Sequence, residues 1–266
     1  MCDTRLITAL SAQAACSEVV GSGRWSVDVA TQRSLTIEPG AVADVVLTGD
    51  GGEVEIVLQP SSKLRVVDVA STAGAAKSVT FRLLEGAECR MTQVVTASLE
   101  SRVVALLDGP GARFELGGSF ILTDDERSSV TVDVKHNVSD CSSRTMFKGV
   151  ASGSAVGKFS GLVYVAPDAQ HTDSEQLSRN ITMGTARIET LPQLEIYADD
   201  VKCSHGATVG QMDDEAVLYM RQRCLSLATA KRLQIEGFVS DVVLHSAIDE
   251  CREVLLESLE RKLEKL

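Results

Sequence analysis

Small glycine turns recur along this chain between short runs of alternating apolar and polar residues. The runs Ser26-Val27-Asp28-Val29, Glu53-Val54-Glu55-Ile56-Val57-Leu58, Ser78-Val79-Thr80-Phe81-Arg82-Leu83 and Ser129-Val130-Thr131-Val132-Asp133-Val134 repeat with period 2 and are rich in β-branched residues. Each reads as a strand with one buried face. Between them stand Pro39-Gly40-Ala41, Glu85-Gly86-Ala87, Pro110-Gly111-Ala112, Met183-Gly184-Thr185-Ala186 and His205-Gly206-Ala207, where glycine permits a tight turn. Gly86 and Gly111, and again Gly184 and Gly206, are separated by one coil of a β-solenoid, and Gly40 and Gly86 by two, on the usual repeat of roughly 20 to 50 residues. A sandwich or barrel also yields many short strands between glycine turns; the regular spacing favours the solenoid. The hexapeptide rhythm of left-handed helices is absent, so the expected fold is mainly β, a right-handed parallel β-helix.

After residue 210 the texture changes. Asp213, Asp214 and Glu215 bring three carboxylates to a helix N-terminus, where they offset the positive end of the dipole. That helix runs to about Cys224, and Ser226 reads as the next cap. Ala228, Leu233, Ile235, Phe238, Val239, Val242 and Val243 then form an apolar stripe, and leucines at 255, 256, 259, 263 and 266 make the end of the chain amphipathic. The expected organisation is a short, helical segment 1–22, a β-helix core 23–210 and a C-terminal helical subdomain 211–266.

A chain of 266 residues buries a sizeable core without disulfides or structural metal. Its 44% hydrophobic and 4% aromatic content points to a core of Val, Leu, Ile and Ala rather than rings. The net charge of -11, with no basic stripe, argues against nucleic acid as a partner. Seven cysteines without a repeating spacing suit a reducing cytoplasm. Arg5 and the apolar stretch after it imitate a short export signal with Cys16 at a lipidation position, but Thr8, Ser11 and Gln13 interrupt it, so a first helix is the simpler reading. No apolar stretch reaches the roughly 18 residues a membrane span needs. No Gly-x4-Gly-Lys-Ser/Thr loop is present, so any nucleotide would be held by a partner.

The densest chemistry lies in Asp199-Asp200-Val201-Lys202-Cys203-Ser204-His205-Gly206-Ala207-Thr208. On an extended strand Cys203 and His205, two residues apart, project to the same side, bringing sulfur and imidazole nitrogen together. That pairing suits iron, iron–sulfur clusters or zinc. Two ligands do not close a shell of about four, so such a site needs a second subunit or small thiols to complete it. The spacing by itself favours a buried thiol beside a hydrogen-bonded histidine on a turn, while a Cys–His nucleophile lacks a third group to orient the ring. His136, His171 and His245 read as surface or packed histidines, and Cys2, Cys16, Cys89, Cys141, Cys224 and Cys251 as small apolar residues. Asn137-Val138-Ser139 and Asn180-Ile181-Thr182 match a glycosylation acceptor that a cytoplasmic chain would not use.

The run 193–210, which contains this segment, resembles the signature of the SufD family of iron–sulfur cluster assembly proteins. Asp214-Glu215 and Leu218-Tyr219-Met220-Arg221-Gln222-Arg223 extend the likeness, as do Phe147-Lys148-Gly149, the run 158–165, Asp168-Ala169-Gln170 and Arg179-Asn180 upstream. The likeness is dense over residues 135–243. It implies a right-handed parallel β-helix that acts as a non-enzymatic scaffold. It also implies that Cys203 and His205 face a SufB-like subunit as half of a transient site for iron or a nascent iron–sulfur cluster. The C-terminal helices, with Asp214, Glu215, Tyr219, Arg221 and Arg223 in the docking region, would bind the ATPase SufC. Family members usually carry an N-terminal helical region, which here only the first 20 or so residues could supply. Two alternatives differ in class: a β-helix enzyme acting on carbohydrate, which the scarcity of aromatics and of paired carboxylates disfavours, and a homodimeric interaction platform joined through a solenoid end.

Overall fold

In the computed structural model, which describes residues 2–15, 18–49, 51–245 and 248–264, the chain begins with helix α1 (Cys2–Leu10). The strands that follow are β1 (Gln13–Ala14), β2 (Val19–Val20), β3 (Gly23–Asp28), β4 (Ser34–Ile37), β5 (Val42–Thr48) and β6 (Gly52–Leu58). Next come β7 (Lys63–Ala70), β8 (Ala76–Leu83), β9 (Glu88–Val95), β10 (Glu100–Leu107), β11 (Arg113–Leu122) and β12 (Arg127–His136). The last are β13 (Ser142–Ala151), β14 (Val156–Val165), β15 (Thr172–Thr182), β16 (Arg187–Ile196) and β17 (Val201–Gly210). Three helices close the chain: α2 (Asp214–Gln222), α3 (Leu227–Leu244) and, after a 3-10 turn (Asp249–Cys251), α4 (Arg252–Leu263).

The odd strands form one nine-stranded sheet and the even strands one eight-stranded sheet, each in chain order with parallel neighbours. Each coil of the chain therefore adds one strand to each sheet, which makes the fold a parallel β-solenoid. The four sequence-read strands lie within or overlap β3, β6, β8 and β12. Strands lengthen along the axis, from 7 residues in β5 to 11 in β15, so the last coils are the widest.

The turns stack into columns held by their own backbone: Gly40 N–H donates to Pro60 O, Ser61 to Glu85 O, Gly86 to Pro110 O, Asp140 to Gln170 O and His171 to Asp200 O. One left-handed residue recurs in this column, glycine at 40, 86 and 111 but Ser61, Asp140 and His171 elsewhere. Asp and His tolerate this conformation better than most side chains. Glycine spacing alone therefore misses half of the column. Gly206 does not belong to it: it lies inside β17, in register with Leu177, so the expected turn at His205-Gly206-Ala207 is uninterrupted strand. Gly184, by contrast, sits in a turn directly over Gly153.

Inside the solenoid the inward residues form the main core, with Leu35, Ile37, Ile56, Leu58, Leu83 and Leu107 fully buried. Rings contribute more than the composition suggests: Phe81, Phe114, Phe120, Phe147 and Phe159 are all fully buried, and Phe147 stacks on Phe159 with centroids 4.7 Å apart.

The helices lie over the outer face of the odd-strand sheet. Val46, Val67, Val69, Val94, Ile121 and Val150 from that face pack with Leu6, Leu10, Ile235, Val239, Val243, Leu255, Leu259 and Leu263. Asp213 caps α2 by accepting from the N–H groups of Glu215 (2.9 Å) and Ala216 (3.1 Å), and Ser226 caps α3 by accepting from Thr229 N–H. Leu233 departs from the expected stripe: it and Ala228 face solvent, and Ala230 takes the buried position. The layer is pinned by polar clamps. Lys148 on β13 donates to Asp241 Oδ2 (2.7 Å) and to Phe238 O, Lys262 on α4 reaches Glu126 (2.5 Å), and Arg5 pairs with Glu257. Among the described residues no helix is long and apolar enough to cross a membrane.

Candidate functional site

β17 is the last strand of the odd sheet and β16 the last of the even sheet, so both present one edge to solvent at the open end of the solenoid. Pro192 sits on β16, an edge strand being where a sheet accommodates a residue without N–H. Val201 to Gly210 are all half-buried or exposed, and this is where Cys203 and His205 stand. Cys203 is half-buried and His205 exposed.

Strand alternation puts both side chains on the inward side. Cys203 is in register with Ser174 and His205 with Gln176 on β15, and both of these lower residues are buried in the interior. The pair therefore sits on the rim of the solenoid's inner space, one coil beyond its closed part. Burial pushes the Cys203 thiol up, a hydrogen bond from the Ser174 backbone pulls it down, and the charge of Asp173 adds to the upward push. The net effect keeps the thiol protonated more firmly than an ordinary cysteine. Among the described residues no group of three or more His, Cys, Asp or Glu is placed to hold a metal ion.

The interior beneath the pair changes character along the axis. The inward column Ala43, Leu64, Cys89, Phe114 continues as Ser143, Ser174, Cys203, and the neighbouring column Val45, Val66, Met91, Leu116 continues as Thr145, Gln176, His205. The inward positions of β15 from Thr172 through Ser174, Gln176 and Ser178 to Asn180 are all polar and buried. Two short chains of hydrogen bonds run among them: His136 Nε2 lies 2.9 Å from Ser143 Oγ and Ser143 Oγ lies 2.8 Å from Ser174 Oγ, while Asn180 donates to Ser178 Oγ and Thr208 O. Burial drives the His136 ring down to about 4, so it is neutral inside the fold. None of these residues stands out in a search for ligand motifs. The signal that finds them is period-2 alternation with the polar residues on the buried side, the reverse of the earlier coils.

The remaining sequence candidates scatter. Asp214, Glu215, Tyr219, Arg221 and Arg223 are all exposed on and just after α2, with the Arg223 guanidinium 4.5 Å from the Tyr219 ring centroid and Leu218 open beside it. They form a surface patch on a helix that packs on α3. His171 bridges Asp140 (3.1 Å) and Asp200 (3.3 Å) along the turn column, and His245 contacts Asp241. Cys89, Cys141 and Cys251 are buried, whereas Cys224 is exposed in a left-handed turn after α2 and is not a packed apolar residue. Cys16 lies outside the described residues, as does the Cys2 side chain. Asn180 is buried within the solenoid, and Asn137 donates to Asp108.

Comparison with known proteins matches residues 19–238 to the family described as SUF system FeS cluster assembly, SufBD core domain. The iron-sulfur cluster assembly protein SufD of Escherichia coli (strain K12) is 36% identical over 147 residues, 55% of this chain and 35% of that protein. A SufBD family iron-sulfur cluster assembly protein of Mycobacterium leprae is 27% identical over 79% of this chain and 57% of its own length, and one of Mycobacterium bovis is 28% identical over 92% and 66%. The chain thus spans between about a third and two thirds of these relatives. With the match running from β2 through most of α3, the chain belongs to the SufBD family of the SUF iron–sulfur cluster assembly system.

Proposed function

We propose that this chain is a non-catalytic scaffold subunit on which the SUF system assembles iron–sulfur clusters. In this reading Cys203, as thiolate, and His205, as neutral imidazole, supply half of a transient site for iron or a nascent cluster, and a SufB-like subunit docked on the open β16/β17 rim supplies the rest. The observation that carries the reading is the placement of a sulfur and an imidazole side by side on the terminal edge strand, with no further ligand from the described residues. A site closed by two chains opens when they part, which suits a cargo that must be passed on. Tyr219, Arg221 and Arg223, with Asp214 and Glu215 at the helix start, form an exposed patch suited to docking a SufC-type ATPase, which would bring the nucleotide the chain itself has no loop to hold. Without those subunits the same rim is free to pair with a second copy. The setting proposed is the cytoplasm.

The test is co-expression with the SufB-like and ATPase subunits, followed by affinity capture and visible spectroscopy. A stable complex with a brown, labile chromophore that disappears when Cys203 and His205 are replaced together supports the reading. A complex whose chromophore is unchanged in that double variant refutes it, and hydrolase or lyase activity by the purified chain would favour a carbohydrate-active enzyme.

A further inference from the structure

Gln176 is fully buried on the inward face of β15, in a column whose earlier members Val45, Val66, Met91 and Leu116 are apolar and whose immediate predecessor is Thr145. Its amide Nε2 donates across the interior to the Gly161 carbonyl on β14 (3.2 Å). Room for that amide exists because residue 161 has no side chain: a Cβ there would lie within 2.6 Å of the amide nitrogen, carbon and oxygen of Gln176. The other half of the amide, Oε1, has no hydrogen-bond partner. An orphan acceptor of this kind is destabilising, and a Met or Leu would fill the same space without it. Directly above, in parallel register, is His205.

We propose that Gln176 is the positioning residue of the rim site: its Oε1 accepts the N–H of one His205 ring nitrogen, fixing the tautomer and leaving the lone pair of the other nitrogen directed outward for a metal. The inference rests on the reading of His205 as a ligand and deepens it. A histidine ligand has two distinct nitrogens, and the hydrogen bond made by one decides which is free for the metal. The Gly161 carbonyl fixes which way the amide points, since Nε2 must face it, and so presents oxygen and not N–H as the free group. The acceptor is thus set by the strands below before any metal or partner arrives.

The full-length chain labelled with 15N-histidine carries four histidines, and long-range 1H–15N correlations at pH 8 read the tautomer of each, with His205 assigned by its loss in His205→Gln. The expected result is one dominant His205 tautomer in the wild-type chain and a shift to a freely exchanging mixture in Gln176→Met. Gln176→Glu should keep the wild-type tautomer, because its side-chain oxygen still offers an acceptor to the ring N–H from the same position. Cobalt(II), titrated as a spectroscopic probe in the presence of the SufB-like subunit, should bind about tenfold more weakly to Gln176→Met than to wild type or Gln176→Glu. A wild-type His205 that exchanges freely between tautomers overturns the proposal without recourse to any variant, as does an unaltered tautomer in a Gln176→Met chain with a native circular dichroism spectrum. A fixed tautomer together with no metal binding would leave Gln176 in its role and sink the half-site; metal binding with a free tautomer would do the opposite.

Discussion

Lys148 Nζ lies 2.7 Å from Asp241 Oδ2, joining the outer face of β13 to α3, and the lysine side chain is only 8% exposed. The same ammonium donates to Phe238 O and stands 4.9 Å from the Phe238 ring. Its pull holds the Asp241 carboxyl below the usual carboxylate range. A depressed carboxylate stabilises the fold above its ordinary pKa and loses that contribution as pH falls through the depressed value. Asp241→Ala, which strands a buried ammonium, is expected to lower stability by about 2 kcal/mol, less than a fully buried pair because Asp241 is half-exposed. Lys148→Met, which removes the charge but fills the space, should be close to neutral. Urea unfolding of the two variants distinguishes them.

His136 gives the interior a separate acid response. Its folded value of about 4 lies below the ordinary 6.5, so the unfolded chain binds the extra proton first on acidification. Stability from this group is full above pH 6.5 and is lost progressively down to about pH 4, by up to about 3 kcal/mol. His136→Leu, matching Leu107 one coil below it, should flatten the melting temperature across that window. An unchanged acid slope in this variant would show that the buried ring does not set it.

Gly161 and Gln176 form a coupled pair. Gly161→Ala places a methyl within 2.6 Å of the Gln176 amide and is expected to cost about 2 kcal/mol through overpacking. Gln176→Ala should cost a similar amount alone, through its cavity. The double variant should be more stable than the sum predicts by at least 1 kcal/mol, because the new methyl enters space the amide has left. A double-mutant cycle by chemical denaturation measures the coupling.

His205 is exposed on an edge strand, and Cys203, half-buried, packs only at the margin of a small end cluster of Val163, Val165, Ala169 and Ala198. Cys203→Ser with His205→Ala is therefore expected to shift stability by no more than about 1 kcal/mol, while abolishing the chromophore of the assembled complex. Thermal melting of the isolated double variant checks this, and a large loss would mean that the pair serves the fold.

Tyr219→Ala and Arg223→Ala remove a stacked, solvent-facing pair from α2. Neither should move the melting temperature by more than a degree or two, and both should weaken capture of the ATPase subunit at least several-fold. Affinity measured by biolayer interferometry against that subunit provides the readout.

The sequence makes the β-solenoid legible because alternation and turn spacing are local signals repeated many times. Val54, Ile56 and Leu58 mark a buried face whatever lies above them. Asp213 and Ser226 are equally plain as caps, since a cap is decided within a few residues. What escapes local reading depends on which residues are stacked across coils. Ser61, Asp140 and His171 occupy the same turn column as Gly40, Gly86 and Gly111, and no spacing of glycines could reveal that. Gly206 misleads in the opposite sense, because a glycine in a strand looks like one in a turn. At the site, Cys203 and His205 are visible as a pair on one strand face. Ser174 and Gln176 become their neighbours only once the register between β15 and β17 is known.

Every coil but the terminal ones is gripped from both directions, whereas β17 has a neighbour on one side alone. In a stack whose cohesion comes from adjacent layers, the last layer opens most readily. Backbone amides along β17 should therefore be among the first of the strands to exchange with deuterium, and a subunit that caps this end would slow them. Capture of a partner would thus be registered as a tightening of the strand that carries the thiol and the imidazole.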